Sequence, residues 1–356
     1  IKYDIIDGNH TTNIKSNIIK NTDENGTVGY VKRLNGDYPD EYYIDNAYYK
    51  PDGTLSHPNA PLTLESETLI YDLTPDVMGE YAYVDGENFK TYEFTVSKDK
   101  LAKLYGKKRE QVFVSNGSDD ILNFSFMAFS GDNGEAVYPE ISYGFYKVFA
   151  ELYGIKSEQI PLKEDFSIDY KDYLNKNKFI VIANPNAPTG LTLSLSEIEE
   201  ILKTNKDNVV LIDEAYVDFG GDSAVNLVPK YDNLLVVQTF SKSRSMAGAR
   251  LGFAIGSKEI IGDLHKLRYS TNPYNINRLT LAAGEATIDS QSYYDDNCKK
   301  IIETREWTVS ELKNLGFEIL PSKANFIFAK NDKIDGEKLY LELKEQGVLV
   351  RHFTSQ

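Results

Sequence analysis

From about Gln111 onward, short apolar segments alternate with amphipathic ones, and this alternation constrains the fold more than any other feature. Several apolar segments contain no charged residue, which is typical of strands that are covered on both faces. Strands that alternate with helices favour an α/β fold with a mostly parallel sheet. The predicted strands are Gln111–Ser115, Glu135–Tyr138, Lys156–Leu162, Phe179–Ala183, Val209–Ile212, Leu234–Thr239 and Leu251–Ile255.

Helix signals occupy several of the intervening segments. Asp119–Phe129 and Tyr143–Tyr153 are predicted helices, and Leu195–Lys203 is a third. Ser194 and Glu197 have the spacing of a capping box, which predicts where the third helix begins.

Beyond Asn275 the sequence becomes mainly helical, with short strands near its end, which predicts a small α+β domain. The predicted helices are Ile276–Ile288, Asp295–Leu315 and Gly336–Gln346, and the predicted strands are Phe317–Leu320, Asn325–Ala329 and Val348–Arg351. Cys298 and Trp307 lie in the second of these helices, where we expect them to be packing residues.

The first 95 residues have a different character. They are rich in Tyr, Asp, Asn and Gly and contain turn signals such as Asn25-Gly26. Alternating segments at Leu69–Leu73 and Lys90–Val96 predict short strands. We therefore expect three parts: an atypical, β-rich N-terminal region at 1–95, a large α/β domain at 96–274 and a small C-terminal domain at 275–356.

Composition excludes several classes of function. The 356 residues are 41% hydrophobic and 26% charged, as in an ordinary globular protein, and no apolar run suggests a membrane span. A net charge of −15 argues against binding to nucleic acid. The single cysteine excludes a disulfide framework and fits a cytoplasmic location. The histidines show no metal-ligand spacing, so no metal site is predicted.

Lys242 is the strongest candidate for chemistry. It follows the predicted strand Leu234–Thr239 and lies beside Ser241, with Arg250 further along the chain. An isolated lysine is most simply a solvated surface charge. A lysine after an apolar strand, with serine and arginine nearby, can instead bind an aldehyde cofactor covalently while its neighbours hold a phosphate.

Three other segments follow predicted strands, and each alone has an ordinary structural explanation. Gly117-Ser118-Asp119 opens a helix and is either an anion site or a simple cap. Asn184–Gly190 is a ligand loop or a proline-rich turn. Asp213 is either a buried carboxylate, which needs a cationic partner, or an ordinary helix cap. Tyr216 follows it and adds a phenol.

These motifs converge because open α/β sheets bind ligands at the carboxyl ends of their strands. Together they would supply a phosphate cup, a carboxylate for a ring nitrogen, a phenol for a ring hydroxyl and an amine for an aldehyde. Those groups match the needs of pyridoxal 5′-phosphate.

With these motifs the sequence resembles the histidinol-phosphate aminotransferases among the fold-type-I pyridoxal-phosphate enzymes. The resemblance runs from about Leu101 to His352 and includes Tyr138-Pro139, Ser142-Tyr143, Ser322–Phe326 and Gly347–Arg351. It implies the type I fold of pyridoxal-phosphate-dependent transferases, with the parallel sheet flanked by helices.

The resemblance also implies a role for each candidate residue. Lys242 would bind the cofactor and move the proton, Asp213 would contact the ring nitrogen, and Tyr216 would contact the ring hydroxyl. The other implied cofactor contacts are Tyr143 stacking on the ring and Gly117, Ser118, Asp119, Ser241 and Arg250 at the phosphate. Arg351 and Asn325 would contact the substrate.

The sequence departs from the family at three places. Ala187 stands where the family has the asparagine that contacts the ring hydroxyl, immediately before Pro-Thr-Gly, so the adjacent Asn186 is named as the substitute cofactor contact. The family's phosphate-binding tyrosine of the neighbouring subunit has no well-placed counterpart, because Tyr38 lies far upstream. The family's second arginine lies beyond Arg351 and is absent from the residues up to Gln356. A chain without it would bind cofactor but transaminate poorly.

The function implied is conversion of histidinol phosphate and 2-oxoglutarate into imidazole-acetol phosphate and L-glutamate, in histidine biosynthesis. The expected partners are a small-molecule amino donor, a 2-oxo acid and a second copy of the chain. Two alternatives stay open. One is a decarboxylase of a phosphorylated amino acid, and the other is a non-catalytic scaffold that carries an N-terminal binding module.

Overall fold

The computed structural model describes residues 18–22, 28–33, 42–44, 47–49, 70–71, 80–85, 88–93, 96–131 and 134–353, with side chains from residue 98 onward. The chain divides into two compact units, residues 1–96 and 97–356. The further boundary expected after residue 274 remains a prediction. Tyr38 and the Asn25-Gly26 turn lie outside the described residues.

The described part of the first unit consists of strands in two antiparallel sheets, in line with the expected β-rich region. One sheet has the order β1-β2-β3-β4 and the other β5-β6-β7. The strands are β1 (Ile18–Thr22), β2 (Val28–Arg33), β3 (Tyr42–Ile44), β4 (Ala47–Tyr49), β5 (Ile70–Tyr71), β6 (Glu80–Asp85) and β7 (Asn88–Glu93).

The second unit is built on a seven-stranded sheet with helices on both faces. Its strands are β8 (Val112–Ser115), β9 (Glu135–Pro139), β10 (Lys156–Ile160), β11 (Phe179–Ala183), β12 (Val210–Asp213), β13 (Leu234–Thr239) and β14 (Gly252–Gly256), followed by the short pair β15 (Glu318–Ile319) and β16 (Ala329–Lys330). The helices are α1 (Val96–Tyr105), α2 (Ser118–Phe129), α3 (Phe145–Leu152), α4 (Leu195–Thr204), α5 (Lys258–Thr271), α6 (Arg278–Asp289), α7 (Gln291–Asn314) and α8 (Gly336–Glu345).

The strand order β10-β9-β11-β12-β13-β14-β8 confirms the α/β class. Strands β10, β9, β11, β12 and β13 pair in parallel, whereas β14 runs antiparallel to both β13 and β8. The sheet is therefore mostly parallel, as predicted, with one reversed strand that the apolar pattern could not reveal.

Successive strand residues enter two separate cores, one on each face of the sheet. Val112 and Val114 belong to one cluster of buried side chains and Phe113 to the other. Helices α1 and α4 cover the first face, since Leu101 and Ile198 are in its cluster. Helices α2, α3 and α5 cover the second face. Covering on both faces explains why the inner strands are mainly apolar, whereas the edge strand β10 is largely polar.

Most predicted elements of the second unit are present to within a few residues, but one helix was missed and three expectations were wrong. Of the predicted strand Asn325–Ala329, only Ala329 lies in a strand. Helix α5 was not predicted. Residues 348–351 form no strand in the described part of the chain. Trp307 is 64% exposed, because it lies on the outer face of α7, whereas Cys298 on the same helix is buried as expected. None of the helices within the described ranges is both long and apolar enough to span a bilayer.

Candidate active site

The sheet brings the predicted site residues to one edge. Asp213 is the last residue of β12 and pairs with Ala183, the last residue of β11. The end of β13, Thr239, lies opposite Gly252, which in turn lies opposite Ser115 at the end of β8. Because β14 is reversed, the segment that precedes it emerges at the same edge as the segments that follow β8, β12 and β13.

Asp213 is a buried carboxylate at the centre of this edge. Its side chain accepts a 2.8 Å hydrogen bond from the Tyr146 hydroxyl and a 3.2 Å bond from the Ala215 N–H. Burial raises the pKa of Asp213 to about 6, while these two hydrogen bonds and the charge of Lys242 act in the opposite direction. A cationic ring nitrogen placed here would favour the ionised carboxylate.

Lys242 lies three residues past β13, with its Nζ 5.1 Å from the centre of the Tyr216 ring. Phe326 contacts the same ring edge-on, with 4.9 Å between ring centres. The Tyr216 ring therefore lies close both to the amine and to an aromatic side chain from the segment after β15. Phe326 was recognised in the sequence only as part of a motif.

Arg250 lies beside the turn that opens α2. Its backbone is left-handed, with φ of 55°, and a β-carbon on Gly117 would lie 2.6 Å from its NH2. Gly117 itself has φ of +85° and immediately precedes Ser118, the first residue of α2. This glycine-lined cradle places a guanidinium against the free N–H groups of a helix start, which is a favourable setting for an anion.

Asp119 connects the cradle to Tyr143. One carboxylate oxygen accepts a 2.8 Å hydrogen bond from the Tyr143 hydroxyl, and the other lies 3.0 Å from Arg250 NH2. The rings of Tyr143 and Tyr146 are in edge contact, with centres 5.6 Å apart. Contacts thus run without a break from Arg250 to Asp213.

Three predicted site residues, Asn186, Asn325 and Arg351, take no part in the contacts that link Arg250 to Asp213. The Asn186 amide donates to Ile141 O and Thr189 Oγ1 and accepts from Ser142, so it holds its own loop together. Asn325 is exposed and adjoins Phe326.

Arg351 is also exposed, and its guanidinium lies 5.2 Å from the centre of the Phe353 ring. Ser241 directly precedes Lys242, and its N–H donates to Thr239 Oγ1.

Glu214 is a second buried carboxylate beside Asp213, and it was not predicted as a site residue from the sequence. Its buried carboxylate accepts hydrogen bonds from Ser223 Oγ, the Ala224 N–H and Gln238 Nε2, at 2.7, 2.6 and 2.8 Å. Burial raises its pKa to about 7. The sequence does carry a signal for Glu214, because it directly follows Asp213 at the end of an apolar strand. Successive residues of a strand point to opposite faces, so two adjacent acidic residues predict one carboxylate on each face.

The donor set fits pyridoxal 5′-phosphate. Arg250 and the helix start suit a phosphate dianion, the buried Asp213 suits a protonated ring nitrogen, and Lys242 suits an aldehyde. A β-carbon at Gly117 would overlap the Arg250 guanidinium, so the absence of a side chain there lets the guanidinium lie against the helix start. Within the described ranges, no group of three or more His, Cys, Asp or Glu side chains is arranged to hold a metal ion.

Known proteins share this architecture. The family profile "Aminotransferase class I and II" matches residues 74–356. The chain belongs to the class I and II aminotransferases. Among its relatives within the family, the histidinol-phosphate aminotransferase of Brachyspira hyodysenteriae is 53% identical over 72% of this chain and 73% of its own length. The enzyme of the same name from Acinetobacter baumannii strain AYE is 45% identical over 83% of this chain and 80% of its own.

A solved aminotransferase agrees in fold. The histidinol-phosphate aminotransferase from Clostridium acetobutylicum superimposes with a TM-score of 0.67 at 26% identity, covering 72% of this chain and 78% of that one. The expected type I transferase fold is therefore confirmed for this class I and II aminotransferase.

Proposed function

We propose that the chain is a pyridoxal-phosphate-dependent aminotransferase that converts histidinol phosphate and 2-oxoglutarate into imidazole-acetol phosphate and L-glutamate. The observation that carries the chemistry is the meeting of Asp213, Lys242 and the Arg250 cradle at one sheet edge. The choice of substrates rests on the names of relatives that are 53% and 45% identical.

Each residue has a defined task in this proposal. Lys242 Nζ would bind the aldehyde and, once the substrate amine had displaced it, would move a proton from the substrate's Cα to the C4′ carbon of the cofactor. Asp213 would hold a proton on the ring nitrogen, and Tyr216 would donate to the ring hydroxyl. When bound, pyridoxal phosphate supplies the electron sink that makes the Cα proton acidic.

The phosphate end would be held by Arg250, Ser241 and the backbone N–H groups of Ser118 and Asp119, next to the cradle at Gly117. Tyr143 would orient the ring by stacking, since its hydroxyl is already fixed by Asp119. Arg351 and Asn325 would contact the substrate, and Asn186 would support the loop that faces the ring.

Labelling tests the cofactor chemistry directly. The chain is mixed with pyridoxal phosphate, the visible absorption band is recorded, and borohydride then fixes the adduct for peptide mapping. We expect label on Lys242 and none in Lys242→Ala. Absence of an adduct on Lys242 would contradict the proposal and favour the non-catalytic scaffold.

Product analysis tests the substrates. Histidinol phosphate and 2-oxoglutarate should yield glutamate in a reaction that the Lys242→Ala variant does not support. Release of carbon dioxide from a phosphorylated amino acid, without glutamate formation, would replace the transaminase with the decarboxylase alternative.

We also infer that the enzyme works as a homodimer in the cytoplasm, as the family resemblance implies. Helix α3 supports a partner surface, because its Phe145, Val148 and Leu152 are 47%, 47% and 66% exposed. The single cysteine is consistent with a reducing compartment. Light scattering of the purified chain tests assembly, and a strictly monomeric active enzyme would refute the dimer.

A further inference from the structure

Tyr146 is a buried residue that makes a direct contact with the carboxylate at the centre of the site. It is fully buried, and its hydroxyl donates a 2.8 Å hydrogen bond to Asp213 Oδ2. Among the residues with described side chains, it provides the one side-chain hydrogen bond recorded to Asp213, the other being the Ala215 N–H. The family resemblance assigned Tyr146 no role.

The ring of Tyr146 is fixed by its aromatic neighbours. It stacks against Phe126 at 6.4 Å between centres, with 28° between the ring planes, and meets Tyr138 and Tyr143 edge-on at 5.9 and 5.6 Å. A ring packed on several sides has little freedom to rotate its hydroxyl away. The hydrogen bond therefore holds one oxygen of Asp213 in a defined direction.

The charges around the pair determine which atom carries the proton. Burial, Asp213 and Asp119 all raise the pKa of the Tyr146 phenol well above its ordinary value. The phenol is thus the donor at neutral pH. On the other side, burial and Asp119 raise the pKa of Asp213, whereas the Tyr146 bond, the Ala215 N–H and Lys242 lower it.

We propose that Tyr146 is a positioning residue that keeps the Asp213 carboxylate ionised and directed toward the cofactor's ring nitrogen. The inference rests on the proposed function, since it concerns how this chain prepares Asp213 for a cationic partner. A hydrogen bond to a charged acceptor stabilises the charged form. Without the phenol, a shared proton moves toward the carboxylate and away from the ring nitrogen.

The matched comparison is Tyr146→Phe against Tyr138→Phe. Both variants delete one hydroxyl from the same aromatic cluster, but the Tyr138 hydroxyl does not bond to Asp213. Each protein is loaded with pyridoxal phosphate labelled with ¹⁵N in its ring. The ¹⁵N chemical shift reports protonation of that nitrogen, and equilibrium dialysis gives the dissociation constant of the cofactor.

We expect the wild type and Tyr138→Phe to show a protonated ring nitrogen. Tyr146→Phe should move the ¹⁵N signal toward the unprotonated position and weaken cofactor binding about tenfold, the effect of losing a charge-assisted hydrogen bond. Identical signals and affinities in all three proteins would overturn the inference.

A double-substitution cycle separates positioning from packing. If Tyr146 acts through Asp213, the effect of Tyr146→Phe should vanish when Asp213 is already replaced by Asn. An equally large effect in the Asp213→Asn background would show that Tyr146 acts by packing alone and would refute the proposal.

Two checks keep the test decisive. Should Tyr146→Phe fail to fold, 3-fluorotyrosine inserted at position 146 supplies a stronger donor of nearly the same shape. It should tighten cofactor binding, and an unchanged affinity would overturn the inference. Wild-type protein that takes no borohydride label at Lys242 would instead refute the proposed function, and this inference with it.

Discussion

Gly190 packs directly against Ser322. A β-carbon on Gly190 would lie 2.3 Å from Oγ and 2.7 Å from Cβ of Ser322, and the Lys323 N–H donates a 2.8 Å hydrogen bond to the Gly190 carbonyl. Gly190 ends the loop after β11, and Ser322 precedes the segment that brings Phe326 to Tyr216. This contact therefore fastens two segments that form the site.

Gly190→Ala should destabilise the protein by about 2–5 kcal/mol, because the new methyl group overlaps Ser322 and the φ of +75° disfavours alanine. Urea unfolding measures the loss. The control is Gly154→Ala, which has φ of +65° but no atom within 4 Å of the added carbon. It should cost only about 1–2 kcal/mol. Equal losses in the two variants would count against the tight contact.

Gly117→Ala should weaken cofactor binding about tenfold or more, because its methyl group displaces the Arg250 guanidinium from the cradle. Gly106→Ala is the matched control, since it has φ of +62° and open space around the added carbon. Gly117→Ala should also lose more stability than the control, because φ of 85° with ψ of 167° is open essentially only to glycine. Affinity is therefore compared on the folded proteins, and only Gly117→Ala should lose it in a fluorescence titration with pyridoxal phosphate. Equal affinities would refute the assignment of Arg250 to the phosphate.

Arg305→Gln should destabilise the protein by about 2–4 kcal/mol. The buried Arg305 NH1 donates to Phe219 O and Ala324 O, at 2.9 and 2.8 Å, and its loss leaves buried carbonyl groups unsatisfied. Lys300→Gln changes an exposed charge on the same helix α7 and should stay within about 0.5 kcal/mol of the wild type. Thermal denaturation compares the two, and similar melting temperatures would contradict a bridging role for Arg305.

Glu214 should make stability fall as the pH rises. Its pKa is about 7 in the folded protein, above the ordinary 4.5, so the folded state holds a proton that the unfolded state releases. Its contribution is greatest below pH 4.5 and is lost as the pH rises through about 7. The raised pKa of Asp213 changes stability in the same direction, but Asp213 is present in both the wild type and the Glu214→Gln variant, so its effect cancels in their comparison.

The measurement is the difference in unfolding free energy between the wild type and Glu214→Gln. Between pH 5 and 7.5 this difference should shift by about 1–3 kcal/mol against the wild type. A difference that does not vary with pH would show that Glu214 is already ionised in the folded protein.

His265 should remain neutral across the accessible pH range. Burial, reinforced by Lys98, Arg268 and Arg109, lowers its pKa to about 2. Its ring nitrogens lie 2.8 Å from Lys98 Nζ and 3.1 Å from Arg268 NH2. In an NMR titration its ring-proton signal, assigned by its loss in His265→Gln, should not move between pH 5 and 8.

The lowered pKa of His265 also makes the stability of the protein depend on pH. The unfolded chain binds a proton on this histidine near pH 6.5 and the folded protein does not, so stability is lost as the pH falls below 6.5. A signal that titrates near pH 6.5 in the folded protein would contradict the buried, cation-flanked position.

Much of the second unit could be predicted because its signals are local. Phe179–Ala183 and Leu234–Thr239 were predicted with the bounds that the structure shows, since each is an apolar run between turn residues. The reversal of β14 could not be predicted in this way, because an apolar run has no direction. The exposure of Trp307 was likewise hidden, since one residue in a helix does not reveal which face packs.

The chemical groups at this edge of the sheet can be read from the sequence alone: a carboxylate at 213, a phenol at 216, an amine at 242 and a guanidinium at 250. The tertiary structure alone decided their partners. Asp213 bonds to a tyrosine 67 positions away, and Arg250 meets an aspartate 131 positions away. Such pairs depend on how sheet and helices pack, and neither periodicity nor spacing encodes that at long range.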